Sequence, residues 1–176
     1  MPWEVSILDW DKKGADNSVV TPDQVLELIK SIDEEQATKA YWKLDGSVCS
    51  NGLAYGASLN AVNLILAMLP NCSAVAKRRC LELLGQISVC ESDISSPNVV
   101  QECLEELRLS SWYFLHGLQF DIPENAWLYV DLIGVLGVKF KDFKPRSRSY
   151  LECVLKRDLP ANDIEMIQNT LADLSE

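Results

Sequence analysis

From Gly46 to Ala76 the chain carries no charged residue, and this segment constrains the fold more than any other. Its most apolar part, Leu53 to Leu69, has the length of a helix, and no side of that helix would offer a charge to water. Such a helix is typical of the centre of a helical stack, where neighbours cover it on most sides. The run is too short for a membrane span and is interrupted by polar and small residues. These are Gly56, Ser58, Asn60 and Asn63.

Helix signals occur on both sides of this segment. Thr21-Pro22-Asp23 supplies a capping hydroxyl, a proline for the first helical position and an acid for the first turn. One apolar stripe follows it: Val25, Leu26, Ile29 and Ile32. Further helices are predicted over Glu34 to Leu44, from Ser73 to Cys90, from Ser96-Pro97 to about His116, from Asp121-Ile122-Pro123-Glu124 through Leu136, over Tyr150 to Leu155, and over Ile164 to Leu174.

About eight helices joined by short turns, without the alternation typical of strands, predict an all-α fold. We expect one helical domain over residues 1–176, with helices in antiparallel hairpins. The first 20 residues are compatible with an extended segment. A repeat of about 40 to 47 residues, as in HEAT or armadillo stacks, is favoured by two similar stretches. These are Leu59 to Leu84 and Ser111 to Ile133. An irregular helical bundle is the alternative.

The charge balance indicates which partners suit this chain. It has 26 acidic and 16 basic residues, a formal net charge of −10. That charge disfavours nucleic acid and anionic membranes and favours a basic protein partner. The basic connector Lys139 to Arg148 contains Asp142 and is interpreted as balancing neighbouring acids rather than binding RNA. The first residues, Met1-Pro2-Trp3-Glu4, resemble no secretory signal, so a cytoplasmic location is expected.

Residues for catalysis or metal binding are scarce. The six cysteines form no C-x-x-C pair, and a single histidine cannot complete a zinc set, so no metal and no cofactor are expected. Cys80, Cys90 and Cys103 fall on apolar helical faces and are predicted to be reduced core thiols. His116 lies beside Gly117 at a predicted helix end, where it can cap carbonyl groups. We therefore predict a protein that is not an enzyme and has no catalytic residues.

An aromatic cluster has two interpretations, a ligand cage and a helical core. It comprises Trp112, Tyr113, Phe114, Trp127 and Tyr129. Aromatic residues at helical spacing more often pack between two helices than surround a ligand. The core interpretation is favoured, with one or two of the tyrosines reaching the surface.

The stretch from Leu81 to Leu107 contains several acids and no base. Like charges three and four residues apart repel on one helix face, by a few tenths of a kcal/mol per pair, so they favour a solvated surface or a partner of opposite charge. The net charge of the whole chain tips the interpretation toward a partner. The predicted partner-binding residues are Glu91, Asp93, Glu102, Glu105 and Glu106.

Two stretches carry a resemblance to known proteins. Leu53-Ala54-Tyr55-Gly56-Ala57-Ser58 with the helix and proline break that follow, and Cys80-Leu81-Glu82-Leu83-Leu84-Gly85-Gln86-Ile87, resemble small bacterial HEAT-like helical proteins. That class includes immunity proteins encoded beside polymorphic toxins, among them those of contact-dependent growth inhibition. The resemblance spans roughly residues 50 to 140. It implies binding and neutralisation of a cognate toxin domain, often a nuclease, whose basic active-site cleft the acidic protein blocks. A helical adaptor or scaffold in a larger assembly is the alternative.

Overall fold

The computed structural model describes residues 2–121, 125–157 and 159–175. The protein is all-α, as predicted, and these residues form ten α-helices and one small three-stranded sheet. The chain divides into two compact units, Met1–Leu107 and Arg108–Glu176. Whether the two units act as the single domain expected from the sequence stays a prediction.

The first unit contains the sheet and most of the helices. Its helices are α1 (Glu4–Ile7), α2 (Pro22–Ile29), α3 (Glu34–Val48), α4 (Ala57–Met68), α5 (Ala74–Val89) and α6 (Val99–Leu109), whose last two residues belong to the second unit. Its strands are β1 (Cys49–Ser50), β2 (Leu53–Ala54) and β3 (Glu91–Ser92). The second unit continues with α7 (Ser111–Phe120), α8 (Ala126–Lys139), α9 (Lys144–Val154) and α10 (Ala161–Asp173).

Helix α4 is the centre of the first unit, which confirms the prediction made from the uncharged segment. It contacts α1, α2, α3 and α5. Two of its polar side chains are buried with hydrogen bonds to the backbone. The Ser58 hydroxyl donates to the Val48 carbonyl at 2.6 Å, and the Asn60 amide donates to the Asp9 carbonyl at 2.5 Å. These bonds satisfy the polar groups that interrupt the apolar run.

Helix α2 begins with the predicted capping pattern, but its buried apolar stripe ends before Ile32. Thr21 and Gln24 form a capping box, and Pro22 occupies the first turn. Val25, Leu26 and Ile29 are buried, whereas Ile32 lies beyond the helix and is 76% exposed. Placing Ile32 on the buried stripe was therefore wrong, because the helical period no longer applies after residue 29.

Three features of the first 55 residues differ from the sequence predictions. A short helix, α1, occupies part of the segment expected to be extended. Helix α3 does not end at Asp45-Gly46 but continues to Val48. The segment predicted as the start of α4 instead forms β2, because Asn51 and Gly52 adopt positive φ angles of 53° and 76° and turn the chain into a hairpin. Asn51-Gly52 is a strong sequence signal for this turn, although the strands on either side of it are too short to show strand alternation.

Helix α8 is the centre of the second unit and contacts α7, α9 and α10. The helix runs through two late glycines to Lys139, so these glycines do not end it. They are sites of close approach instead. A Cβ atom on Gly137 would lie 2.6 Å from Leu174 Cδ2 and 2.7 Å from Ser147 Oγ, and one on Gly134 would lie 2.5 Å from Thr170 Cγ2.

The helix predicted to run to about His116 is two helices, since α6 ends at Leu109 and α7 begins at Ser111. Helix α8 begins at Ala126; the predicted start over residues 122–124 lies outside the described residues. Part of the predicted basic connector is helical, because α9 begins at Lys144 with Pro145 in its first turn.

Candidate protein-binding surface

Strand β3 contains Glu91, the first of the predicted partner-binding residues, and pairs with β2 of the first unit. Leu53 pairs with Glu91 and Ala54 with Ser92 in parallel register. The Ser92 hydroxyl accepts a hydrogen bond from the Val100 amide at 3.1 Å, in the first turn of α6. Ser92 thus accepts a hydrogen bond from one of the first amides of α6, which have no partner within the helix. We call residues 91–98 the acidic loop; it comprises β3 and the turn that leads into α6.

Asp93 stabilises the turn of the acidic loop through hydrogen bonds, in addition to giving the loop a negative charge. Its carboxylate accepts hydrogen bonds from the Ser95 amide, at 2.9 Å, and from the Ser95 hydroxyl. Its carbonyl accepts a hydrogen bond from the Ser96 amide at 2.9 Å. The hydrogen bonds from Ser95 lower the pKa of Asp93, so the turn is held together by an ionised carboxylate.

The most exposed large apolar side chain of the described residues stands in this loop. Ile94 is 96% exposed, directly after Asp93. Val89, at the end of α5, is also exposed. Single exposed apolar residues are ordinary on a protein surface. Ile94, however, lies between Asp93 and Ser95, whose hydrogen bonds hold the turn. The acidic loop therefore offers apolar contact together with negative charge.

Helix α6 has the amphipathic arrangement that its sequence predicts. Its inner face is buried: Val99, Val100, Cys103, Leu104 and Leu107. Glu102 is exposed, and Glu105 and Glu106 are half-buried. We call these three residues the acidic face of α6. Burial, together with the charges of Glu102 and Glu106, raises the pKa of the Cys103 thiol to about 12, which keeps this thiol protonated at neutral pH.

Glu102 differs from the other two acids because lysines share its surroundings. It lines an open cleft of about 270 Å³ together with Lys12, Lys13 and the residues that precede α6. Among the described residues, Glu91, Glu102 and Glu106 form no ion pair. The acidic face is therefore less uniform than the sequence predicted, since positive charge from the N-terminal segment lies near its first residue. The N-terminal lysines carry no sequence signal that would place them there.

The position of the acidic loop depends on how α5, which precedes it, is held against α3. Where α5 meets the N-terminal part of α3, Arg79 donates to Glu34 Oε1 at 2.5 Å, to Thr38 Oγ1 at 3.0 Å and, within α5, to Glu82 Oε2 at 2.7 Å. The bond from Arg79 lowers the pKa of Glu34. Arg78 also pairs with Glu34.

Further along the same two helices, the Tyr41 hydroxyl donates to Gln86 Oε1 at 2.8 Å, and the thiols of Cys49 and Cys90 meet at the ends. These pairs follow one another in the same direction along both helices, so α3 and α5 run parallel. We call this row of contacts the α3–α5 seam. Asp45 lies within α3 between Tyr41 and Cys49, is 8% exposed, and its Oδ1 atom has no hydrogen-bond partner among the described residues. Burial raises its pKa.

The residues considered for catalysis do not assemble into a site. His116 is not at a helix end, because α7 continues to Phe120, and its ring lies 4.7 Å from the Phe120 ring on the surface. Gly117 is buried against Tyr129. Among the described residues, no three His, Cys, Asp or Glu side chains are grouped as metal ligands.

The aromatic cluster divides between core and surface. Phe114 and Tyr129 are fully buried, which confirms the core interpretation for them. Trp112 and Trp127 are exposed, at 61% and 41%, and Tyr113 is half-buried, so one tyrosine reaches solvent as expected and two tryptophans do so as well. The Tyr129 hydroxyl donates to Asp121, and burial raises the pKa of Tyr129.

None of the helices in the part of the chain that the structure describes is long and apolar enough to cross a membrane. Comparison of the chain with protein-family models, curated proteins and solved structures finds no significant match. The resemblance to HEAT-like immunity proteins therefore stays a prediction.

Proposed function

We propose that this chain is a protein-binding module that uses the acidic loop and the acidic face of α6 to bind a basic partner. The observation that carries the proposal is Ile94, an almost fully exposed isoleucine in an ordered turn beside Glu91 and Asp93. Interfaces combine a few apolar anchors with charged groups that steer association. The acidic loop provides both within a few residues.

The partner that fits best is a toxin domain with a basic active-site cleft, and the chain acts as its immunity protein. Carboxylates on a helix can occupy a cleft that normally receives the phosphates of a nucleic acid. The net charge of −10 supports this assignment, because it speeds association with a basic protein. Binding rather than catalysis is the proposed activity, and the cytoplasm is the proposed place of action.

Co-expression with the toxin domain encoded by an adjoining reading frame tests this proposal. The chain should restore growth of cells that make the toxin and should purify with it as a complex. If the two proteins do not bind and the cells still die, the immunity function is wrong. Binding without rescue would instead favour an adaptor or scaffold.

A matched pair of substitutions tests the role of the acidic loop. Ile94→Ser should weaken the complex by roughly tenfold or more, since a central apolar anchor is worth on the order of 1 to 2 kcal/mol or more. Ile32→Ser removes an equally large exposed side chain elsewhere in the first unit and should leave the dissociation constant unchanged. Isothermal titration calorimetry measures both. Equal effects would remove Ile94 from the interface.

A further inference from the structure

Two cysteines meet where the α3–α5 seam ends. The sulfur atoms of Cys49 and Cys90 are 2.6 Å apart and share a hydrogen bond. Cys49 directly follows the last residue of α3, and Cys90 directly follows the last residue of α5. The ion pairs and the Tyr41–Gln86 bond fix the two helices in one register, so the two thiols are brought together by the fold itself.

The two thiols differ in access and in reactivity. Cys49 is 2% exposed, whereas Cys90 is only half-buried. Burial raises the pKa of the Cys49 thiol, and the hydrogen bond with Cys90 and the nearby carboxylate of Asp45 act in the same direction. A reagent from solution therefore reaches Cys90 first, and Cys49 is placed to react second.

We propose that Cys49 and Cys90 are a redox-active dithiol whose co-substrate is a small-molecule disulfide such as oxidised glutathione. The Cys90 thiolate attacks one sulfur of the small disulfide, forms a mixed disulfide and releases one small thiolate. Cys49 then loses its proton to solvent and attacks the Cys90 sulfur, which releases the second small thiolate. The two protein thiols are oxidised to one disulfide, and the small disulfide is reduced to two thiols.

The new bond would join the ends of two parallel helices directly before the acidic loop, because Glu91 follows Cys90. It would close a chain segment that contains α4 and α5, and cross-linking a long segment lowers the entropy of the unfolded chain. Oxidation would therefore stabilise the first unit and fix the start of the acidic loop. This inference concerns the thiols alone and does not depend on the proposed partner.

Peptide mapping of the whole protein tests the proposal. The protein is incubated with excess oxidised glutathione, blocked with N-ethylmaleimide and digested with trypsin and a glutamate-specific protease. Residues 44–77 contain Cys49 and Cys72, and residues 83–91 contain only Cys90. The expected product joins these two peptides and has lost two hydrogens. Cys90 carrying only glutathione, or a bond from residues 44–77 to Cys80 instead, would overturn the proposal.

Single variants assign the first sulfur. Cys72→Ser should keep the cross-link, and Cys49→Ser should lose it; a cross-link that survives Cys49→Ser would contradict the assignment. Oxidation of the wild-type protein should raise its Tm by roughly 5 to 10 °C, and dithiothreitol should reverse the change. An oxidised protein with an unchanged Tm would refute the stabilising role. The cross-link in Cys72→Ser and the Tm of the oxidised wild-type protein decide the matter even if Cys49→Ser fails to fold.

Discussion

The two units of this protein each surround one apolar helix, but they hold the neighbouring helices in different ways. In the first unit, α3 and α5 are joined by a row of ion pairs, hydrogen bonds and thiols along the α3–α5 seam. In the second unit, α8 is held by close packing, with glycines that let α9 and α10 approach its backbone. The comparison indicates that side-chain polar contacts set the register of α3 and α5 beside the acidic loop, while glycines let the helices of the second unit approach closely.

The largest effect should follow from removing an aromatic ring of the second unit. Phe114→Ala empties a fully buried position in α7 and should lower the free energy of unfolding by about 3 to 5 kcal/mol. Trp112→Ala, two residues earlier on an exposed surface, should cost less than about 1 kcal/mol. Urea unfolding followed by circular dichroism measures both. Similar losses for the two variants would contradict the packing described for α7.

Glycine substitutions should change stability in opposite directions in the two units. Gly137→Ala places a Cβ atom 2.9 Å from Ser147 Cβ and against Leu174, so it should destabilise the protein by about 1 to 3 kcal/mol. Gly46→Ala in α3 meets no atom within 4 Å and should stabilise by roughly 0.5 to 1 kcal/mol. Thermal unfolding should lower the Tm of the first variant and raise that of the second. A shift of the same sign in both would refute this difference.

Substitution of Asp45 should have a small effect on stability, and this effect should depend on pH. Its folded-state pKa is raised by burial, so ionising it costs stability as the pH rises from about 4 through that raised value. Asp45→Asn removes the charge and should stabilise the protein by about 1 kcal/mol at pH 7, with the gain shrinking toward pH 4. Unfolding free energies at both pH values provide the measurement. If Asp45→Asn raised the free energy of unfolding more at pH 4 than at pH 7, the pKa of Asp45 would not be raised in the folded protein.

Periodicity and charge predicted the class of the fold and the central helix of the first unit. Val25, Leu26 and the inner face of α6 are buried where a helical period places them, and the uncharged segment contains α4. These features depend only on neighbours within one helix. The break between α6 and α7 was missed because apolar spacing continues across Leu109 and Ser110.

The candidate surface could be predicted only in part. The acids of α6 share a face because of their spacing, which is a local property. The lysines beside Glu102 and the meeting of Cys49 with Cys90 depend on contacts between residues far apart in sequence, which no local pattern encodes. Ile94 was passed over because a single isoleucine in a polar turn gives no periodic signal.

The most direct test of the proposed function is the rate at which the chain associates with the candidate toxin domain at increasing salt concentration. Wild-type association should be fast at low salt and fall steeply as salt screens the charges. Glu105→Lys combined with Glu106→Lys should slow it at least tenfold at low salt. Glu165→Lys combined with Asp173→Lys, which changes the net charge equally on exposed positions of α10, should slow it far less. Equal rates for the two double variants would contradict a specific acidic surface on α6.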